Sequence, residues 1–345
     1  MGRASRFPAF SLSVALLGWA GVAFAQDGFF AGKTIRVIVG FSAGGGFDAY
    51  SRTIGRHLGK HVPGNPSVIV ENMTGAGSMI AANHVYNQAK PDGLTIGNWI
   101  GGLILQQLLG AKGIAFDAAK FEYIGAPVRI NNACVTTRKS GITDLSKWRE
   151  SKTPVKIGAE AAGSTTSDIP RLLMEYTDLP IQLIEGYKGV ADVRIAAEGG
   201  EVAGFCSSWE GTKTSWRNVI ERKDATVVLQ ASQKPHPDHP KVPLAIDQIK
   251  SQEGRDLFKL VVHDVGGTIN RLYVLPPGTP KDRVRTLQQA FEKTMNDPEF
   301  LAEAKKIRLD IDPVSGEEIA KTVSQMKAIP PGTLAKLKSI ILPGK

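Results

Sequence analysis

Phe41-Ser42-Ala43-Gly44-Gly45-Gly46-Phe47-Asp48, within the stretch from Lys33 to His61, decides the fold. Ahead of it runs Thr34-Ile35-Arg36-Val37-Ile38-Val39, a β-branched run that reads as a buried strand. Behind it, Tyr50, Ile54 and Leu58 recur at helical spacing and mark one face of an amphipathic helix. The glycines between lack a Cβ, so the backbone can turn sharply and a ligand can approach it closely. The N–H groups of the helix's first turn point outward at the positive end of its dipole. Strand, glycine loop and helix N-terminus together make an anion site. A tight turn without a ligand is the plainer account of the same glycines.

The grammar recurs along the chain. Ser67 to Val70 and Leu94 to Trp99 read as strands, with a helix from Ser78, as N-cap, to about Asn87 and another from Gly101 to Leu109. Val155 to Ala159 is a strand followed by the small-residue loop Gly163-Ser164-Thr165-Thr166. A helix then carries Ile169, Leu172, Leu173 and Tyr176 on one face, with Pro170 expected in its first turn. Ile181 to Ile184 leads to Gly186-Tyr187-Lys188-Gly189 and a further helix from Val190. Strands alternating with helices indicate an α/β fold with parallel sheets. Ligands in such sheets bind beyond the strand C-termini, where these loops lie.

The chain has 345 residues and a formal charge of +9. Arg3 and Arg6, an apolar run from Phe10 to Phe24 and Ala23-Phe24-Ala25 make up an export leader over residues 1–25, cut after Ala25. An uncleaved anchor is the alternative. The remaining length suggests two domains. The basic residues are scattered, without a run, a basic-aromatic motif or finger spacing, which excludes nucleic acid as the expected partner.

Gly44-Gly45-Gly46-Phe47-Asp48-Ala49 also fits a dinucleotide fingerprint, with Glu71 near the place of a ribose-binding acid. An exported nicotinamide-dependent oxidoreductase is therefore the enzyme alternative. No nucleophile elbow, zinc signature or C-x-x-C pair is present, so no catalytic residue, metal or cofactor is expected. His57 and His61 are read as a solvated helix face, and His236 and His239 as caps of a surface loop. Cys134 and Cys206 could pair in an oxidising compartment; the expectation is two separately buried thiols. Asp48, in the first helical turn, either complements the dipole as a cap or braces the glycine loop or orders a bound water; an acid touching a carboxylate ligand would repel it, so its role is indirect. Lys188 is either a positive charge at the second loop or an exposed lysine in a turn.

The ordered set of motifs resembles a known family. It comprises the leader, Ile35 to Val39, Gly44-Gly45-Gly46 with Asp48 and Arg52, Val70-Glu71-Asn72 and Gly75-Ala76-Gly77. It continues with Pro91-Asp92-Gly93, Gly163-Ser164-Thr165, Tyr187-Lys188-Gly189 and Pro276-Pro277-Gly278-Thr279-Pro280. These resemble the substrate-binding receptors of tripartite tricarboxylate transporters, the Bug-type extracytoplasmic receptors. The resemblance implies a two-domain, type II-like Venus-flytrap fold of the periplasmic-binding-protein class. Domain 1 would comprise residues 26–131 and 232–345, and domain 2 residues 132–231. It implies a periplasmic, monomeric protein that binds a small carboxylate and delivers it to integral membrane subunits. The ligand-binding residues implied are Ser42, Ala43, Gly44, Gly45, Gly46, Phe47, Asp48, Gly163, Ser164, Thr165 and Thr166, with Tyr187, Lys188 and Gly189 nearby. A binding protein repurposed for signalling is a further alternative. The chain departs from the family pattern at Ala43, Phe47, Met73-Thr74 and Gly186, and Phe47 sets an aromatic ring at the cleft mouth.

Overall fold

A computed structural model of the chain describes residues 1–2, 28–160, 163–187 and 189–342. The leader core, its cleavage site and Lys188 lie outside the described residues. Among the described residues no helix is long and apolar enough to cross a membrane.

In chain order the first unit runs β1 (Thr34–Val39), α1 (Gly46–Leu58), β2 (Ser67–Asn72), α2 (Met79–Asn87), β3 (Thr95–Ile100), α3 (Gly102–Leu108) and β4 (Glu122–Ala126). A second run follows: β5 (Asn132–Thr137), α4 (Leu145–Arg149), β6 (Val155–Gly158), α5 (Thr165–Tyr176), β7 (Ile181–Ile184) and α6 (Val190–Gly199). It closes with β8 (Gly204–Ser208), α7 (Trp209–Ser215), α8 (Arg217–Glu221) and β9 (Ala225–Ala231). The chain then returns through α9 (Gln252–Phe258), π-helical turns over Lys259–Thr268 and β10 (Arg271–Leu275). It ends with α10 (Lys281–Met295), α11 (Pro298–Lys306), β11 (Val314–Ser315), α12 (Gly316–Met326) and α13 (Pro331–Ile341).

The strands form two sheets, a six-stranded one in the order β11-β4-β10-β3-β1-β2 and a five-stranded one in the order β7-β6-β8-β5-β9. β1 lies next to the edge strand of the first and pairs parallel with β2 and β3, while β10 enters antiparallel between β3 and β4. Side chains of β1 alternate in direction. Ile35, Val37 and Val39 join Ile54 and Leu58 of α1 and Leu287 and Phe291 of α10, whereas Ile38 joins Ala81, Ala82 and Val85 of α2. Both faces are covered, which is why the strand is almost continuously apolar. Each such side chain, fully buried, stabilises by about 1.5–3 kcal/mol.

Four local expectations change in the folded chain. Cys134 and Cys206 form a disulfide. The antiparallel β5–β8 register sets them directly opposite each other, with Cα atoms 3.9 Å apart, so burying one thiol places the other against it. Pro170 lies inside α5 rather than in its first turn, because the helix already begins at Thr165. Ser78 precedes α2, but its hydroxyl accepts from the Ile100 N–H at 3.2 Å and gives the helix no side-chain cap. His57 and His61 are not a solvated face: their Nε2 atoms meet Glu303 and Asp297 on or beside α11 at 2.7 and 2.6 Å.

Candidate functional site

β1 ends beside β3, and the chain leaves it through a glycine loop that is exposed from Ser42 to Gly46. Gly44 takes φ +80°, a conformation an L side chain rarely adopts, and its N–H donates to Asp48 Oδ2 at 2.9 Å. Asp48 is 3% exposed and faces inward. Its carboxylate also accepts from Arg52 Nε and from Asn72 Nδ2, each at 2.9 Å. Burial pushes this carboxyl up, but the Arg52 guanidinium, the Gly44 N–H and the Asn72 amide together hold it below its ordinary value. Asn72 donates in addition to the Phe41 carbonyl at 2.8 Å, which ties the end of β2 to the loop. Asp48 thus braces the loop through the Gly44 N–H, and the Gly45 N–H turns back to the Ser42 carbonyl at 3.4 Å. The first N–H groups of α1 have no acceptor inside the helix.

The loop before α5 repeats this construction. Gly163 takes φ +89°, and its N–H donates to Asp168 Oδ1 at 2.9 Å. Ser164 caps the helix with its carbonyl, which accepts from Ser167 and Asp168 N–H at 3.0 and 2.8 Å. Thr166 is buried, and its hydroxyl accepts from Glu160 N–H at 3.0 Å while sharing a 2.9 Å bond with Ser164 Oγ. Burial pushes the Asp168 carboxyl up to about 7, against the Gly163 N–H and Arg171, which favour its charge. The Glu160 carboxyl is raised by burial as well. Sequence reasoning passed over Asp168. Its signal was an acid four to five residues after a loop glycine, the same arrangement as Gly44 and Asp48.

The second loop abuts the first unit. A Cβ on Gly163 would stand 2.2 Å from Gln106 Nε2, and one on Gly102 would stand 2.8 Å from the Gly163 carbonyl oxygen. Gly102, Gly163, Thr165, Asp168 and Asn270 line a cavity of about 10 Å³ at this contact. The Tyr187 ring lies against Gly158, its N–H donates to the Ala159 carbonyl at 3.3 Å, and its hydroxyl donates to Glu201 Oε1 at 2.7 Å. Gly189 stands at the N-terminus of α6.

One residue near the first loop was not singled out from the sequence. Arg271 opens β10 opposite Ile100, at the edge where β1 and β3 end. It is 7% exposed. Its guanidinium lies 5.2 Å from the Phe47 ring centre and 4.9 Å from that of Tyr50, and Phe47 stacks on Phe41 at 4.3 Å. A Cβ on Gly46 would come within 2.9 Å of Arg271 Nη2. Nε and Nη1 of Arg271 are buried and find no hydrogen-bond partner.

A cavity of about 1030 Å³ lies elsewhere, between α7, α8 and β9 on one side and the segment around α11 to Ile311 on the other. Two of its cations are already paired, Lys213 with Asp310 at 2.8 Å and Arg217 with Glu221. Volume alone does not make a site, so the glycine loops, which lead into helix N-termini whose first N–H groups lack an acceptor within the helix, remain the stronger candidate. The dinucleotide reading fares poorly: Glu71 is held by Arg36 at 3.0 and 2.7 Å, and Asp48 is committed to its own loop.

Residues 52–341 match the model of the tripartite tricarboxylate transporter family receptor, TctC. A curated relative from Cupriavidus necator, "UPF0065 protein in gbd 5′ region", is 25% identical over 336 residues, covering 92% of this chain and 93% of its own. Among solved structures, the periplasmic binding protein BugD superposes with a TM-score of 0.69 at 22% identity, covering 90% of this chain and 98% of that one. MatC from Rhodopseudomonas palustris with bound malate gives 0.65 at 18% identity, with coverages of 90% and 100%. An R. palustris protein with bound adipate gives 0.67 at 19%, with coverages of 90% and 98%. The two sheets and their helices therefore form the α/β periplasmic-binding-protein fold of these neighbours. The family match spans most of the chain, and the protein belongs to the tripartite tricarboxylate transporter receptors, which are solute-binding proteins and not enzymes.

Proposed function

We propose that this receptor is exported through a leader cut after Ala25 and captures a small carboxylate in the periplasm. The acid is held between the loops at Ser42–Asp48 and Gly163–Thr166, with residues 187–189 beside them, and is passed to the membrane subunits of a tripartite transporter. The observation that carries the reading is the repeated construction. Two glycine loops, each braced by a buried aspartate, present the N-termini of α1 and α5 beyond parallel strands. Malate and adipate bound in neighbours of the same fold are in keeping with it.

The test is calorimetry on the processed protein against mono-, di- and tricarboxylates, with intact mass fixing the N-terminus at Gln26. Ligand at about 100 times Kd should add about 2.7 kcal/mol of stability. Gly45 has room for a Cβ, its nearest neighbour being the Ser42 carbonyl oxygen at 3.5 Å, so Gly45→Val should fold. Its side chain would stand where the ligand meets the backbone, and affinity should fall at least about tenfold, the worth of one charge-assisted hydrogen bond. Unchanged affinity in that variant would move the site elsewhere, and no carboxylate bound at all would sink the reading.

A further inference from the structure

We propose that Arg271 is the anion anchor of this cleft: its guanidinium, at the first turn of α1 beside the Phe47 and Tyr50 rings, pairs with a carboxylate of the ligand and selects for it. The proposal rests on the carboxylate-receptor reading above and goes further, since that reading uses backbone groups alone. A cation 7% exposed, with Nε and Nη1 unsatisfied, is a buried charge in need of a counter-ion. No ion pair among the described residues includes it.

The position sharpens the need. Nη2 lies against Gly46, the first residue of a 13-residue helix whose N-terminus is itself positive. A cation is disfavoured there unless an anion comes between. The Phe47 and Tyr50 rings hold the guanidinium through cation–π contact but accept none of its in-plane hydrogen bonds. A planar carboxylate meets all three demands: it matches the guanidinium fork, it can accept from the first N–H groups of α1, which lack an acceptor within the helix, and it neutralises both positive ends. Phe47, a departure from the family pattern, then becomes part of the anchor, since its ring fixes the plane in which the acid must lie. Uncharged analogues of the same length would leave the cation unpaired and be rejected.

The test uses the processed protein, with malate and the dicarboxylates from malonate to adipate as probes and the corresponding diamides as uncharged controls. Calorimetry is run on wild type, Arg271→Gln and Arg271→Lys. For the tightest acid, Arg271→Gln should bind at least about 30-fold more weakly and Arg271→Lys about tenfold, since lysine keeps the charge and loses the fork. The diamides should not bind wild type. Without ligand, Arg271→Gln should melt at or above wild type, because an unpaired buried charge has been removed; a plug needed only for packing would melt lower. An acid bound by wild type and by Arg271→Gln within about threefold overturns the anchor and leaves the receptor reading intact. If Arg271→Gln does not fold, Arg271→Lys decides: wild-type affinity overturns the anchor, and tenfold weakening supports it. If wild type binds none of the acids, both readings fall together.

Discussion

Asp168 shows how one side chain carries both geometry and pH dependence. It holds Gly163 in its left-handed conformation from a buried position, and burial pushes its carboxyl up to about 7. An unfolded aspartate titrates near 3.9. Between about pH 4 and pH 7 the folded chain therefore keeps a proton that the unfolded chain has released. Raising pH through that window favours unfolding, and the loss is complete above about 7. In Asp168→Asn the amide oxygen can still accept from Gly163 and the titration is gone. Its stability relative to wild type should rise from pH 4.5 to pH 7 and then level off. Urea midpoints at pH 4.5, 6 and 8 measure this, and a difference independent of pH would show that Asp168 is charged throughout. His263 adds an opposite slope: burial lowers it to about 4, so its contribution is lost as pH falls below about 6.5. Comparing mutant with wild type cancels that background.

At the scale of elements, what could be read from the chain followed sequence distance. β1 and α1 were legible because their apolar spacing is local and strong, and the same holds for β6, α5, β7 and α6 of the second unit, whereas the short helices α4, α7 and α8 carry too few turns to show a period. The disulfide was not, because Cys134 and Cys206 meet only through the β5–β8 register, which spacing along the chain does not reveal. His57 and His61 were misread for a similar reason, since their carboxylate partners come from residues near 300. Arg271 escaped notice because nothing local marks it; its place depends on β10 entering beside β3. The π-helical turns at Lys259–Thr268 lack the periodicity that would announce them. The disulfide carries its own prediction. It closes a loop with a separation of 72 residues, and in the chain-entropy account such a closure is worth about 4 kcal/mol. Cys134→Ala with Cys206→Ala should unfold at clearly lower denaturant, and reductant should shift wild type but not the double variant. Equal midpoints for reduced and oxidised wild type would refute this.

For the molecule as a whole, the crossing between the two sheets at residues 130–131 is pinned, not free. Glu210 of α7 accepts from Asn131 N–H at 3.1 Å and from Asn131 Nδ2 at 2.9 Å, while Trp209 N–H donates to the Asn131 carbonyl at 2.7 Å. The crossing residue Ile130 donates to Gly267 at 2.9 Å. If ligand holds the units together through both loops, it favours the closed arrangement only by its difference in affinity for the two. Glu210→Ala should therefore loosen the crossing, cost about 2 kcal/mol of stability and enlarge the radius of gyration without ligand. Small-angle scattering with and without the bound acid checks this, and a radius unchanged by both mutation and ligand would argue for a rigid pair of units.

The strand order has a consequence for the timing of assembly. The second sheet is built from one uninterrupted stretch, residues 132–231, and the bond between Cys134 and Cys206 lies wholly inside it. The first sheet is different, because β10, which separates β3 from β4, arrives only with Arg271–Leu275. A chain emerging N-terminus first thus presents β1, β2 and β3 with one edge of β3 unpaired, a row of free donors and acceptors open to mispairing. That edge waits while the whole of the second sheet is delivered and able to close. The half of the molecule that begins first is the half that finishes last, and chaperones acting during its delivery would find their substrate in the open β3 edge.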